Sequence, residues 1–306
     1  GEGYHRRYGE AHAEVRCLES VPAALRARIP FSTMYVSLEP CAHYGRTPPC
    51  ADRIIAEGIP RVVVGCQDPF AAVSGRGIAR LREAGVEVLT GILEEECREL
   101  NRRFFTFHRE KRPYIVLKWA RSPDGFIALP GFRSARISSP VTDRLVHRWR
   151  SEESAILVGS RTAEYDDPLL TNRLWSGPSP LRIVLDRSGR MADHLRLFQG
   201  PEPTWVFTRE LRRRQGQTEW LSVFTPQRFL AEVMGILHER KILSVMVEGG
   251  AGILDAFLEA GLWDEARVIT GQDYLREGLP SPLIPGVPVK ERQSGGDHIS
   301  YYRHLS

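Results

Sequence analysis

The sequence predicts an α/β protein of two domains, and three observations lead there. Short runs of apolar and β-branched residues alternate with helical stretches along nearly the whole chain, the pattern of mostly parallel sheets covered by helices on both faces. The 306 residues suffice for two domains, each with its own core. A charge-dense helical stretch ends at Lys111-Arg112-Pro113, and a proline disfavours helix in the residue before it, so the domains divide as 1–111 and 112–306.

In the first domain, His12–Ser20 fits a short helix with Val15 and Leu18 inward, and Thr33–Leu38 is a buried strand rich in β-formers. Cys50–Glu57 reads as a helix stopped by Gly58, Arg61–Gly65 as a strand and Ile78–Glu83 as a helix. Val86–Leu89 is a third strand and Glu94–Glu110 one longer helix. Gly1 to Arg6 look like the end of a strand already under way.

The second domain opens on a strand, Tyr114–Ala120. Ser139-Pro140 then starts a helix to about Arg150, with proline in the first turn where its missing N–H is harmless. Strands follow at Ala155–Gly159, Leu181–Asp186, Trp205–Thr208 and Leu221–Phe224, then a helix at Gln227–Lys241. Ser244–Glu248 is a strand running into the glycine turn 249–252, with Ile253–Glu259 the helix beyond. The basic run Leu211–Gln215 reads as a solvated loop.

A hydrophobic content of 42% with 26% charge is that of a globular protein, and no run approaches the 18 apolar residues a membrane span needs. No signal peptide is visible at the start. The net charge of +4 is mild, so charge alone does not distinguish a small anionic substrate from nucleic acid. Five cysteines without a disulfide-scaffold spacing indicate a reducing cytoplasm, with Cys17, Cys66 and Cys97 as free thiols.

Chemistry concentrates between His12 and Cys50. His12, Cys41 and Cys50 supply one imidazole and two thiolates, the ligand number of a catalytic zinc whose fourth position is left to water. Glu14 is then the proton carrier for that water. Two residues apart on a helix is about 200°, so His12 and Glu14 converge only at a helix end, which places the metal at the N-terminus of the first helix. A structural zinc would need a fourth protein ligand, for which His43 is the nearest candidate. This donor set, with a non-ligand Glu, is that of the zinc nucleobase deaminases, whose usual signature is H-x-E followed by P-C-x-x-C. Here eight residues rather than two part Cys41 from Cys50.

The full string Leu38-Glu39-Pro40-Cys41-Ala42-His43-Tyr44-Gly45-Arg46-Thr47-Pro48-Pro49-Cys50 resembles the bifunctional deaminase/reductase of riboflavin biosynthesis. The segments Lys118-x-Ala120-x-Ser122-x-Asp124-Gly125 and Ser160–Arg173 resemble the reductase half of the same family. The resemblance implies a cytidine-deaminase-like three-layer domain followed by a dihydrofolate-reductase-like α/β domain. It implies zinc-dependent deamination of 2,5-diamino-6-ribosylamino-4(3H)-pyrimidinone 5′-phosphate, then NADPH-dependent reduction of the ribosyl group to ribityl. Carried over residue by residue, it implies that Ser134, Arg150, Leu169, Arg173 and Glu248 hold substrate, and that Lys118, Ala120, Arg136, Thr162, Asp166, Gly250, Ala251 and Gly252 meet NADPH. Two arginines suit a sugar phosphate, since a planar guanidinium binds it bidentately. Arg136 stands where the family often has tryptophan, and residues 268–285 match too loosely to assign contacts. The resemblance further implies a cytoplasmic homo-oligomer, a dimer or tetramer. In the family a helix and a strand precede the point where this chain begins and carry an asparagine that holds the pyrimidine, so the chain is expected to be a fragment or its deaminase half incomplete.

Two other readings compete. A deaminase acting on a base in nucleic acid shares the zinc set, but it uses the shorter cysteine spacing and a basic surface and has no role for a cofactor domain. A reductase alone, or a degenerate zinc-bearing scaffold, would bind the metal and release no ammonia.

Overall fold

The computed structural model describes residues 1–5, 9–44, 48–70, 74–189, 191–210, 216–225 and 228–304. The basic run Leu211–Gln215, the loop residues Gly45, Arg46 and Thr47, and Arg6 and Gln227 lie outside them. The chain divides into two units, Gly1–Glu110 and Lys111–Ser306.

Unit 1 runs α1 (Ala13–Glu19), a 3-10 helix (Ala23–Phe31), β1 (Thr33–Leu38), α2 (Cys50–Ala56), β2 (Arg61–Cys66), α3 (Arg76–Glu83), β3 (Glu87–Thr90), α4 (Glu94–Leu100) and α5 (Arg102–Arg109). Its sheet has the order β1-β2-β3, all parallel, with Met34 beside Val62 and Val62 beside Val88. These residues meet Leu18, Ala51, Ile54 and Leu81 in one apolar cluster. Burial of a side chain such as Ile54 removes it wholly from water and stabilises the unit by roughly 2 kcal/mol.

Three expectations for this unit need correction. The buried face of α1 is Glu14 and Leu18, which share a face at i and i+4, while Val15 is only half-buried. The stretch from Glu94 is two helices parted at Asn101, whose side-chain amide donates to the Cys97 carbonyl at 2.8 Å and competes with helical continuation. Residues 1–5 carry no regular secondary structure.

Unit 2 opens with β4 (Tyr114–Arg121) and β5 (Phe126–Ala128), then α6 (Pro140–Glu152), β6 (Ala155–Gly159), α7 (Ser160–Asp166), β7 (Leu181–Leu185), β8 (Thr204–Thr208) and β9 (Thr218–Ser222). It continues through α8 (Phe229–Glu239), β10 (Ser244–Gly249), α9 (Ala251–Glu259), β11 (Glu265–Thr270), β12 (Leu279–Pro280), β13 (Lys290–Ser294) and β14 (Asp297–Arg303). The main sheet has the order β13-β14-β11-β4-β10-β6-β7-β8-β9. From β11 to β9 every pairing is parallel, while β14 runs antiparallel to both β11 and β13. Apolar side chains cover both faces, Leu117, Leu157 and Phe257 on one and Val116, Ile156 and Trp149 on the other.

The last third of unit 2 holds what sequence patterning missed. Strand β11 lies against β4, yet its apolar run is broken by Glu265 and Arg267, which are buried and ion-paired at 2.6 Å. Strand β9 begins three residues earlier than expected because its register follows β8, Thr204 beside Thr218. The Ser122–Gly125 turn binds this C-terminal region: the Asp124 carboxylate accepts the amides of Leu275 and Arg276, and Gly125 accepts that of Ser281.

The chain leaves β4, builds outward from β6 to β9, and returns to insert β10 between β4 and β6. Strand order therefore reverses at β10, and ligands of open parallel sheets bind at the carboxyl ends of strands at such a reversal.

Candidate active sites

His12 is the N-cap of α1, in extended conformation, Cys41 follows β1 after Glu39-Pro40, and Cys50 is the first residue of α2. The His12 Nδ1 lies 3.5 Å from Cys41 Sγ and 3.4 Å from Cys50 Sγ. A tetrahedral zinc with Zn–N near 2.0 Å and Zn–S near 2.3 Å spaces such atoms by about 3.5 Å, so the three donors fit the ion. No fourth His, Cys, Asp or Glu joins the group among the described residues, and His43 instead sets its ring edge-on to Phe70. One coordination position is thus left for water, as catalysis requires and a structural site does not.

The electrostatics favour the ligand form at Cys41, while the shared proton rests on Cys50 and His12 is raised by its contact with Cys41. A hydrogen bond from the Cys50 thiol, outweighing burial and helped by His12 and the Cys50 amide at 3.3 Å, holds Cys41 well below the usual thiol range. Sharing its proton with Cys41, together with burial and the nearby Glu14, pushes Cys50 up. Burial raises the Glu14 carboxyl, which hydrogen-bonds Cys50 and faces the donor group, so it is poised to carry a proton.

Two carboxylates of this site escaped the sequence reading. Glu39, 3% exposed, accepts the backbone amides of Asp68, Gly75, Gly77 and Ile78, tying the segment after β2 and the start of α3 to the residue before Pro40-Cys41. Asp68 is raised to about 6 by burial and by Glu39 and Cys41, against the amide of Phe70, which it accepts at 2.7 Å. The available signal was position: each acid closes a buried parallel strand, where ligands are met.

In unit 2, Lys118 and Ala120 lie toward the carboxyl end of β4, Glu248 at that of β10, and Thr162 on α7 just past β6. Arg150 of α6 binds Glu248 bidentately, at 2.8 Å and 2.7 Å, and gives its remaining nitrogen to the Thr171 carbonyl at 3.1 Å. Burial pushes the Glu248 carboxyl up, but Arg150 and Lys118 together outweigh it and hold the group at about 2. Burial lowers Lys118. Arg173 spends NH1 on the Thr171 hydroxyl at 2.9 Å.

The turn after β10 needs its glycines. Gly249 has φ +121°, and a side chain on Gly250 would press on Thr162 Oγ1 at 3.0 Å, the atom that accepts the Gly250 amide at 2.6 Å. Ala251 and Gly252 open α9 ahead of its first internal bond, from Ile253 to the Gly250 carbonyl, so their amides suit a phosphate. Ser134 hydrogen-bonds Asp166, whose carboxyl is raised by burial. Leu169 is half-buried beside buried Leu170. Arg136 is exposed and paired with Asp143 of α6 at 3.3 Å.

A zinc-ready donor set with an adjacent acid in the first unit, followed by a parallel sheet with a glycine turn at its strand reversal, is the arrangement of a metal-dependent hydrolase joined to a nucleotide-binding domain. The comparisons narrow this. Residues 1–66 match the model of the cytidine and deoxycytidylate deaminase zinc-binding region, and 113–271 that of the RibD C-terminal domain. The riboflavin biosynthesis protein RibD of Aquifex aeolicus is 40% identical over 288 residues, 91% of this chain and 79% of its own. A diaminohydroxyphosphoribosylaminopyrimidine deaminase/5-amino-6-(5-phosphoribosylamino)uracil reductase from Thermotoga maritima superposes with a TM-score of 0.86 at 33% identity, covering 99% of this chain and 88% of that one. One crystal form of Acinetobacter baumannii RibD superposes with a TM-score of 0.87 at 30% identity, covering 100% and 88%. The chain belongs to the RibD family.

Proposed function

We propose that the protein catalyses two successive steps of riboflavin biosynthesis: hydrolytic deamination of 2,5-diamino-6-ribosylamino-4(3H)-pyrimidinone 5′-phosphate, then NADPH-dependent reduction of the ribosyl side chain to ribityl. The observation that carries this reading is the donor triangle of His12, Cys41 and Cys50 with Glu14 against it, in a chain of this family. Zinc, when bound there, lowers the pKa of a water toward neutrality. Glu14 would take one proton from the attacking water and hand it to the ring nitrogen, then take the hydroxyl proton of the resulting adduct and hand it to the amine, which leaves as ammonia.

In the second unit NADPH supplies the hydride, and the protein supplies position. Ala251 and Gly252 offer amides to the cofactor's phosphates, with Thr162 holding Gly250 in place and Lys118, Ala120, Arg136 and Asp166 around it. Glu248, kept ionised by Arg150, accepts from sugar hydroxyls, Arg173 meets the 5′-phosphate, and Ser134 and Leu169 complete the substrate contacts.

The test is to assay the chain with the diamino pyrimidine phosphate, zinc and NADPH, reading ammonia and NADPH oxidation separately. Both should appear. A chelator should abolish ammonia release yet spare oxidation of NADPH when the deaminated uracil is supplied. Metal-independent ammonia release would overturn the first half, and no oxidation with that uracil the second.

A cytoplasmic dimer or tetramer is the proposed working form. It is supported by five free cysteines and by the exposed apolar side chains Leu283, Val287 and Val289, and sedimentation velocity tests the assembly. No described helix is long and apolar enough to cross a membrane.

A further inference from the structure

Helix α6 carries a second functional side chain one turn before Arg150. His147 is 5% exposed, and its Nδ1 lies 2.9 Å from the backbone nitrogen of Arg173, whose N–H it accepts. An accepting Nδ1 fixes the ring as neutral, with its proton on Nε2. Three residues apart on one helix face, His147 and Arg150 grip the same segment at two points: Arg150 donates to the Thr171 carbonyl and His147 receives the Arg173 amide. The Thr171 hydroxyl between them orients the Arg173 guanidinium.

Three of the five N–H donors of Arg150 are engaged, two by Glu248 and one by Thr171, and its charge is already paired with the Glu248 carboxylate. Arg173 has spent one nitrogen on a neutral hydroxyl and keeps its charge uncompensated by any ion pair among the described residues. Where Arg173 sits therefore decides how the phosphate is received.

We propose that His147 is a positioning residue for the reductase step: as a neutral acceptor it holds the backbone of Arg173, and so the guanidinium that meets the substrate's phosphate. The inference rests on the reading of Arg173 given above. The charged and polar groups facing the ring are Arg150 on its own helix, Arg173 and the Asn172 side chain on the gripped segment, and Glu248 on β10. Burial, and then the two guanidinium groups, lower the imidazole, which keeps it neutral at cellular pH. Protonation would point an N–H at the Arg173 amide and add a third positive charge beside two.

The experiment compares His147→Leu, His147→Asn and Arg173→Gln with the parent chain, using 5-amino-6-(5-phosphoribosylamino)uracil and NADPH. The leucine variant should raise the KM for the uracil roughly tenfold, the loss of about one buried hydrogen bond, with little change in kcat or in the KM for NADPH. Asparagine places an acceptor near the Nδ1 position and should restore most of the loss. The parent's KM should rise only at a pH below the ordinary imidazole range, because the ring is lowered, and the asparagine variant should lack that limb. With the diamino pyrimidine phosphate and zinc supplied instead, ammonia release should stay unchanged for both His147 variants. If Arg173→Gln leaves the uracil KM unchanged, the reading of Arg173 fails. If that variant raises KM while His147→Leu does not, or if asparagine behaves like leucine, the role of His147 is refuted.

Discussion

Replacing Arg150 with methionine would strand the Glu248 carboxylate, whose side chain is only 8% exposed, and the size of the effect follows from the pair itself. A carboxyl held at about 2 instead of its ordinary 4.5 gives the folded state about 3 kcal/mol at neutral pH, since each factor of ten is worth about 1.4 kcal/mol. Breaking a buried ion pair by removing one partner costs about 3–5 kcal/mol, in agreement. The pH dependence has a definite sign. In the parent the Glu248 contribution is fully present above pH 4.5 and is lost as pH falls from there through about 2. In the variant burial dominates, the carboxyl rises above its unfolded value, and the folded state gains by taking up a proton. The deficit should therefore be largest near pH 7 and shrink toward pH 4.5. Urea unfolding followed by tryptophan fluorescence is the assay, because all six tryptophans lie between Trp119 and Trp263 and report unit 2 alone. A deficit under about 1 kcal/mol at pH 7, or one that is the same at both pH values, would refute the reasoning.

The other predictions concern single contacts. Glu14→Gln should keep stoichiometric zinc and lose ammonia release by at least about 10²-fold, while NADPH oxidation with the deaminated uracil is unaffected; retained ammonia release would remove Glu14 from its role. Thr162→Val takes away the acceptor of the Gly250 amide, so the KM for NADPH should rise roughly fivefold, about 1 kcal/mol, with the substrate's KM steady in steady-state kinetics. Glu39→Gln removes the charge that collects four amides, and calorimetry should show unit 1 destabilised by about 2 kcal/mol, with zinc bound more weakly in a competition titration with a chromophoric chelator.

What the sequence alone determined was whatever is local or chemically rare. Three soft donors in the order His12, Cys41, Cys50 with Glu14 two residues past the histidine specify a metal and a proton carrier, because few other arrangements use that set. Strong β-branched runs such as Val62-Val63-Val64 fixed the central strands by composition, since a strand buried on both faces must be apolar throughout. Tertiary structure decided the rest through partners distant in sequence. Strand β11 is legible only beside β4, with Glu265 and Arg267 neutralising each other in the interior. Likewise, no spacing rule indicates that Arg150 is consumed by Glu248, 98 residues away, or that Glu39 gathers amides from 29 to 39 residues downstream. Those contacts arise when the parallel sheet brings strand ends together, and a carboxylate's worth there depends on which cation or amide the fold delivers to it.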